Sequence, residues 1–92
     1  MLFEWDETKN RTNIRKHGFD FADAWKIFEF PVLTDLDDRY DYREERWTAI
    51  GVLGSRIIVI VYTEPAEDTV RIISLRKALQ YEQEIYEQTI SH

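Results

Sequence analysis

The sequence predicts a small α+β domain in which a short strand and two helices precede an antiparallel β-meander and a last helix. Its 92 residues are enough for one hydrophobic core and too few to gain from division into two. The content of 43% hydrophobic residues, with only three Gly and two Pro, is typical of a folded chain. Apolar residues recur with helical spacing in some segments and with strand alternation in others. We therefore expect a single domain over residues 1–92.

The N-terminal segment indicates a strand followed by a polar helix. In "FEWD", Phe3 and Trp5 share one face of an extended segment, and Asp6 is a preferred N-cap. The helix is expected to run to His17, because Gly18 is a favourable stop. Only one residue between 7 and 17 is strongly apolar. Core packing therefore does not explain this helix, which makes its polar surface a candidate for function.

A second helix is predicted from Asp20, another N-cap residue, to the residues before Pro31. Its apolar side chains have the spacing of a helix face directed into a core. These side chains are Phe21, Ala24, Trp25 and Phe28. We expect this helix to be structural.

The C-terminal half predicts three strands and a helix after an acidic loop at residues 35–45. Residues 46–52 and 56–63 flank a short Leu-Gly-Ser turn and should form an antiparallel hairpin. The middle strand is apolar on both faces, so we expect it to be central and covered by helices. Residues 69–74 are predicted as its other neighbour. An amphipathic pattern from Leu75 to about Thr89 predicts the last helix.

Composition limits the compartment and the chemistry. The chain has no cysteine, which excludes disulfides, thiolate nucleophiles and cysteine-ligated zinc. The start "MLFEWDETK" lacks the basic and apolar stretches of a signal peptide. The longest apolar run, Ile57 to Tyr62, is far shorter than the ~20 residues that span a bilayer. We therefore expect a cytoplasmic protein without membrane contact.

Charge is unevenly distributed in this acidic chain. The formal net charge of -6 argues against a general nucleic-acid binder. Residues 35–45 hold six acids and two bases, and residues 82–92 hold three acids and no base. Residues 8–19 hold four bases and residues 69–81 hold three, both without an acid. These two basic segments are candidates for contact with a phosphate group or an acidic partner.

The junction "RIISLRKA" is the first candidate site. If Ser74 ends the strand and caps the last helix, Arg76 and Lys77 fall in its first turn, where the helix dipole disfavours cations. A sequence that breaks a local rule often does so at a functional site. Free backbone N–H groups, these cations and Arg71 would hold a phosphate; solvated charges or partners of the acidic loop are the alternative. Strand alternation puts Arg71 and Arg76 on opposite faces unless the strand ends near Ser74.

The polar helix is the second candidate site. Helical spacing puts most of Lys9, Asn13, Lys16 and His17 along one side. Such a side suits contact with RNA or with an acidic partner. Near a helix end, His17 is interpreted either as a catalytic acid or base or as a structural residue.

Two further positions have two interpretations each. Glu45 and Arg46, at the start of a strand, fit proton transfer and phosphate binding, or else a cross-strand salt bridge. Tyr81 and Tyr86 fit stacking on bases, or else the edge of the core with exposed hydroxyls.

The acidic loop is a poor candidate for a metal site. Asp35, Asp37, Asp38 and Asp41 lack a glycine at the sharp turn, and Arg46 stands where calcium would need a bidentate Glu. The sequence has no P-loop, dinucleotide, serine-hydrolase or zinc motif. Any catalysis is therefore expected to need neither a metal ion nor a cofactor.

Four stretches of the sequence together carry a family resemblance. They are "FEWDETKNRTNIRKHGFDFADAWKIF", "EERWTAIG", "VIVYTE" and "RIISLRKA" with the tyrosines that follow it. In this order and spacing they resemble the BrnT family of bacterial type II toxin–antitoxin systems, over nearly the whole chain. The resemblance implies a RelE-like α+β fold and a ribonuclease that blocks translation. It also implies an antitoxin partner, BrnA, whose ribbon-helix-helix part binds operator DNA, so that the complex represses its own operon.

The candidate residues found in the sequence fit such a reaction. In metal-free RNA cleavage the ribose 2′-hydroxyl attacks the adjacent phosphate, which needs a base, an acid and cations around the phosphorane. The residues assigned to catalysis are Lys16, His17, Glu45, Arg46, Arg71 and Arg76. The arginines would stabilise phosphate, and His17 or Glu45 would transfer protons. The residues assigned to RNA contact are Lys9, Asn13, Lys77 and Tyr81.

The acidic charge departs from the basic character usual for such toxins and leaves two other functions open. In one, the basic patch docks an acidic antitoxin and the domain cleaves nothing. In the other, the aspartates support a metal-dependent hydrolase that a chelator would inhibit. Under the leading hypothesis the acids face away from the RNA, and DNA is contacted only through the antitoxin.

Overall fold

A computed structural model describes residues 1–37 and 44–90 of the chain. Within these residues, five strands and three helices form a mixed α+β fold, which is the predicted fold class. They are β1 (Leu2–Trp5), α1 (Glu7–His17), a 3-10 helix (Phe21–Glu29), β2 (Leu33–Asp37), β3 (Arg46–Leu53), β4 (Arg56–Ala66), β5 (Thr69–Lys77) and α2 (Gln80–Ile90). β2 is an additional strand that overlaps the segment predicted to be a loop.

The five strands form one sheet in the order β1-β5-β4-β3-β2. β1 runs parallel to β5, and the other neighbouring pairs are antiparallel. The predicted hairpin and the central position of the middle strand are confirmed, since β4 lies between β3 and β5. β4 extends to Ala66, beyond its predicted end at Thr63.

One side of the sheet, called the core face below, carries the hydrophobic core. The buried residues of this core are Phe19, Phe21, Ala24, Ile27, Ala49, Ile58, Ile60, Tyr62, Val70, Ile72 and Leu75. The 3-10 helix approaches β3 closely at Gly51, where a Cβ atom would lie 2.8 Å from Ile27 Cγ2. Each large side chain buried in this way stabilises the fold by about 1.5–3 kcal/mol. The other side of the sheet is called the open face.

The segment after Asp20 is a 3-10 helix and not the predicted α-helix. Asp20 caps it as expected, since its carboxylate accepts a hydrogen bond from the Ala22 backbone N–H at 2.9 Å. With about three residues per turn, the buried positions are Phe21, Ala24 and Ile27. The prediction that Trp25 faces the core is wrong, because Trp25 is 47% exposed.

The last helix begins later than predicted. β5 continues through Ser74 to Lys77, and α2 begins at Gln80. The cause is the pairing of β5 with the long β4, which outweighs the local preference for a helix. Ser74 therefore does not cap a helix, and the prediction that Arg76 and Lys77 lie in a first helical turn is wrong.

Two of the sequence-based predictions concern membrane-spanning segments and metal sites. No helix of residues 1–37 and 44–90 is long and apolar enough to cross a membrane. The same residues contain no group of three side chains suited to hold a metal ion. Asp38 and Asp41, two aspartates of the metal alternative, lie outside the described residues.

Candidate functional site

A β-bulge in β5 sets the direction of its side chains. Val61 of β4 pairs with Ser74, but the next residue, Tyr62, pairs with Ile72. Ile73 is therefore an extra residue in β5, without a direct partner in β4. After this point the alternation of core-face and open-face positions is shifted by one residue.

The bulge brings two predicted arginines to the same side of the sheet. In a regular strand Arg71 and Arg76 would face opposite sides, as expected from their spacing. Ile72 and Leu75 are both buried in the core. The residue before Ile72 and the two residues on either side of Leu75 therefore point to the other side of the sheet. Arg71, Ser74 and Arg76 consequently all lie on the open face.

The open-face groove is a cavity of about 640 Å³ between β2 and α2. Its walls come from β2, with residues 33–37, and from α2, with Tyr81, Glu82 and Ile85. Its floor consists of Thr48, Ile50, Val59, Val61, Ser74 and Arg76. The floor follows from the sheet register, because directly paired residues of neighbouring strands share a face.

Arg76 is held inside the open-face groove by Glu82. Its Nη1 donates to Glu82 Oε1 at 2.8 Å, and its Nη2 donates to Oε2 at 2.9 Å. Oε1 also accepts a hydrogen bond from the Leu79 backbone N–H at 2.7 Å, which caps the start of α2. The Arg76 guanidinium, and after it this N–H, lower the pKa of Glu82 against the effect of burial. Glu82 is therefore ionised at neutral pH.

The α1 cleft is a second cavity, of about 280 Å³, between α1 and β5. It is lined by Thr8, Lys9, Thr12, Asn13, Lys16, His17, Ile73 and Ser74. This lining has two lysines and no acid, whereas the open-face groove is lined by one arginine and three acids. The α1 cleft is thus the cationic cavity of the pair. Ser74 lines both cavities, so they meet at this residue.

Asn13 attaches α1 to the edge of the sheet. β1 pairs with β5 only as far as Ile72, so in the described residues no strand lies beside the next part of β5. There the Asn13 side chain takes the place of a strand. Its Nδ2 donates to Leu75 O at 2.8 Å, and its Oδ1 accepts from Leu75 N at 3.1 Å. Asn13 is only 6% exposed, so its amide serves the fold instead of the predicted RNA contact.

Asn10 fixes the turn that follows α1. Its Oδ1 accepts from the Phe21 backbone N–H at 2.9 Å, and its Nδ2 donates to Asp20 Oδ1 at 3.0 Å. The Ala22 N–H, and after it this amide, lower the pKa of Asp20. With Gly18 in the left-handed region at φ 78°, these bonds define where α1 ends and thus where His17 lies.

Four predicted residues lie outside both cavities. Arg71 donates from Nη1 to Glu4 Oε2 at 2.7 Å, near β1. Arg46 pairs in register with Asp37, beside the open-face groove, and Glu45 is exposed just before β3. Lys77 pairs with Ile58, a core-face residue, so it does not join Arg76 on the open face.

Besides the buried Asn13, five of the predicted residues line the two cavities. Lys9, Lys16 and His17 are exposed in the α1 cleft. Arg76 and Tyr81 line the open-face groove, and Tyr81 is 59% exposed. The arrangement brings part of the basic helix and part of β5 to one place, with Ser74 between them.

Two residues of the site were not assigned to it from the sequence. Ser74 was interpreted as a helix cap, and only the bulge shows that it faces the groove. Glu82 was counted within an acidic stretch. Its position three residues after Leu79 is a capping signal that depends on knowing where α2 begins.

Comparison with known proteins defines the class. A sequence model of the family described as ribonuclease toxin, BrnT, of type II toxin–antitoxin systems matches residues 5–82. The crystal structure of the Brucella abortus ribonuclease toxin BrnT is similar, with 32% sequence identity and a TM-score of 0.65. The similarity covers 87% of this chain and 100% of that chain. Curated proteins give no match.

Fold and sequence together identify a ribonuclease toxin of a type II toxin–antitoxin system. Within this class, the chain belongs to the BrnT family. The family resemblance found in the sequence is thereby confirmed, and membership implies an antitoxin partner.

Proposed function

We propose that the chain is a metal-independent endoribonuclease whose reacting phosphate lies where the α1 cleft and the open-face groove meet. The observation that carries this proposal is that Ser74 lines both cavities. Lys16 and His17 approach this point from α1, and Arg76 approaches it from β5. Cationic and proton-transferring groups thus line the two cavities that share Ser74, and phosphodiester cleavage requires groups of both kinds.

The reaction assigns a separate task to each group. The ribose 2′-oxygen attacks phosphorus, the bond from phosphorus to the 5′-oxygen breaks, and a cyclic phosphate and a 5′-hydroxyl result. His17 takes the 2′-hydroxyl proton, and a protonated group such as Lys16 supplies the proton of the leaving oxygen. Arg76, held in a fixed direction by Glu82, stabilises the charge of the phosphorane. Ser74 donates a hydrogen bond to a phosphate oxygen.

The outer residues of the proposed site contact the rest of the RNA. Lys9 holds a neighbouring phosphate in the α1 cleft, and Tyr81 stacks on a base. Arg46 and Arg71, which lie beyond the open-face groove, contact more distant phosphates. Glu45 remains a second candidate for proton transfer, from its exposed position before β3.

The proposal extends to the biological setting that the family implies. The chain is a single RelE-like domain over residues 1–92, and it inhibits translation in the cytoplasm. A BrnA-like ribbon-helix-helix antitoxin neutralises it, and operator DNA is contacted only through that antitoxin. Membership of a type II toxin–antitoxin family supports these assignments.

The test is cleavage of a defined RNA by antitoxin-free protein in the presence of a chelator. We expect wild type to cleave, and His17→Gln and Arg76→Gln to lose at least about a hundredfold in rate, because each removes a group at the phosphate. Lys26→Gln is the matched control, since Lys26 lies on the 3-10 helix and lines neither cavity. Cleavage that requires added metal, or that both variants retain, would contradict the proposal.

A second function is favoured by one specific observation. Arg76 and Arg71 already have carboxylate partners, in Glu82 and Glu4. A non-catalytic protein could keep such pairs while its surface holds a protein partner. This alternative predicts that wild type cleaves neither free RNA nor ribosome-bound message and still binds its antitoxin.

A further inference from the structure

We infer that the open-face groove is a pocket for one RNA base, in which Asp35 selects a guanine beside the reacting phosphate. The inference rests on the proposed function, since it assigns the groove to the RNA whose phosphate lies at Ser74. It adds the identity of the neighbouring base, which the cleavage reaction itself leaves open.

A straight row of side chains connects Ser74 with Asp35 across the open face. Ser74 pairs with Val61. Val61 pairs with Thr48, and Thr48 pairs with Asp35. All four line the open-face groove, because directly paired residues share a face. Three strand spacings separate the two ends of the row, or about 14 Å. A phosphate at Ser74 therefore leaves room for a ribose and a base before Asp35.

The helix α2 crosses the open face beside this row and supplies a stacking surface. Near its start Glu82 is ion-paired with β5. One turn later the Tyr86 hydroxyl donates to Pro31 O, just before β2, at 2.8 Å. Tyr81 consequently lies at the Ser74 end of the groove, and its ring is 59% exposed. A base that follows the phosphate stacks on this ring, above the aliphatic floor.

The Asp35 carboxylate is the acidic group of the groove that remains to bind the base. The other two acids are engaged, since Glu82 is paired with Arg76, and Asp37 has a partner and is only 8% exposed. In the part of the chain that the structure describes, no hydrogen bond or ion pair engages the exposed side chain of Asp35. A carboxylate presents two acceptor oxygens side by side and no donor.

Among the four bases of RNA, guanine matches this pair of acceptors. Its N1–H and N2–H groups are adjacent donors on the Watson–Crick edge, which is an edge that proteins read in single-stranded RNA. Adenine and cytosine place a ring-nitrogen acceptor beside the amino group, and uracil places a carbonyl oxygen on each side of N3–H. Each of these would bring an acceptor against the Asp35 carboxylate. The groove thus disfavours phosphate and accepts a neutral base through its donor groups.

The test is binding of uncleavable 2′-O-methyl oligonucleotides to the full chain. A hexamer of uracil with one central guanine is compared with hexamers that carry inosine, adenine or uracil at that position. Inosine lacks only the N2 amino group of guanine. We expect it to bind at least about tenfold more weakly, the usual effect of losing a hydrogen bond to a charged group. With guanine, the amide shifts of the ¹⁵N-labelled protein should extend from Ser74 to Thr48 and Asp35.

Two matched variants separate recognition of the base from the loss of a negative charge. Asp35→Asn presents one acceptor and one donor, so it should lose the preference for guanine over inosine and bind adenine better than guanine. Asp23→Asn removes the same charge from the 3-10 helix, outside both cavities, and should keep the preference for guanine.

The base pocket and the ribonuclease reaction fail separately. Equal binding of the guanine and uracil hexamers by wild type, or equal effects of the two substitutions, would overturn the base pocket even if the protein cleaves RNA. A guanine preference that only Asp35→Asn removes, in a protein that cleaves no RNA, would support the base pocket and contradict the ribonuclease reaction alone.

Discussion

Glu82 joins three parts of the candidate site through one carboxylate. It orients Arg76, caps the start of α2 and forms part of a groove wall. Because Glu82 is nearly buried, an uncharged substitute leaves the guanidinium without its charge partner. Its role could not be predicted from the sequence, since the pairing depends on β5 reaching Lys77 and on α2 starting at Gln80 instead of at Leu75.

Glu82→Gln should lower the free energy of unfolding at neutral pH by about 1.5 to 3 kcal/mol, the usual value for a hydrogen bond to a charged group. The pKa of Glu82 is lower in the folded chain than its ordinary value of 4.5. Its contribution to stability is therefore complete above pH 4.5 and is lost as the pH falls through the lowered pKa. The variant should lack this acid-linked loss.

Urea unfolding at neutral and acidic pH measures both effects of Glu82→Gln. Glu84→Gln is the control, because the exposed Glu84 accepts a hydrogen bond from Gln80 within the same helix. Equal unfolding midpoints for Glu82→Gln and wild type at neutral pH would show that the ion pair does not stabilise the fold.

At the scale of elements, α1 covers the edge of β5 beyond the end of β1. The polar composition of α1, which core packing did not explain, has two causes in the structure. Its buried asparagines bond to the main chain of neighbouring segments, and its exposed cations line the α1 cleft. The caps and limits of α1 were predictable from local chemistry, because Asp6 and Gly18 act within one turn. The role of Asn13 was not, since its partner Leu75 is distant in the sequence.

Asn13→Ala should destabilise the fold by about 2 to 4 kcal/mol, because it leaves the buried N–H and C=O of Leu75 unpaired. The amide of Leu75 should also exchange faster with solvent, which hydrogen exchange measures directly. Thr12→Ala is the control: it removes only exposed hydrogen bonds, the one that Thr12 donates to Thr8 O and the one that it accepts from Arg15. Unchanged exchange at Leu75 would show that Asn13 does not protect this edge.

At the scale of the whole molecule, the two cavities differ in the sign of the charges that line them. Although the net charge is -6, the molecule has a cationic α1 cleft next to a groove whose walls contain acidic residues. The sequence located the basic helix and the acidic segments, because charge is read directly from composition. It could not show that β2 and α2 face each other across the open face, since that follows from the strand order.

This distribution of charges predicts that RNA binding depends only weakly on the salt concentration. Three cations line the two cavities and two more lie beyond them, so log K for uncleavable 2′-O-methyl RNA should fall with log salt at a slope between about −2 and −3.5. Lys16→Gln should reduce the slope by about 0.7, the value for one phosphate contact on a single strand. Titrations at several salt concentrations measure it. A slope steeper than about −4 would indicate a larger basic surface than the two cavities provide.

The most direct measurement locates the phosphate. The ¹⁵N-labelled protein is titrated with a 2′-O-methyl oligonucleotide, and the amide and side-chain shifts are mapped. The account predicts shifts centred on Ser74, extending to Lys16 and His17 on one side and to the Arg76 guanidinium on the other. Shifts confined to the core face or to the β2 edge, with Ser74 unaffected, would contradict a reacting phosphate at the junction of the two cavities.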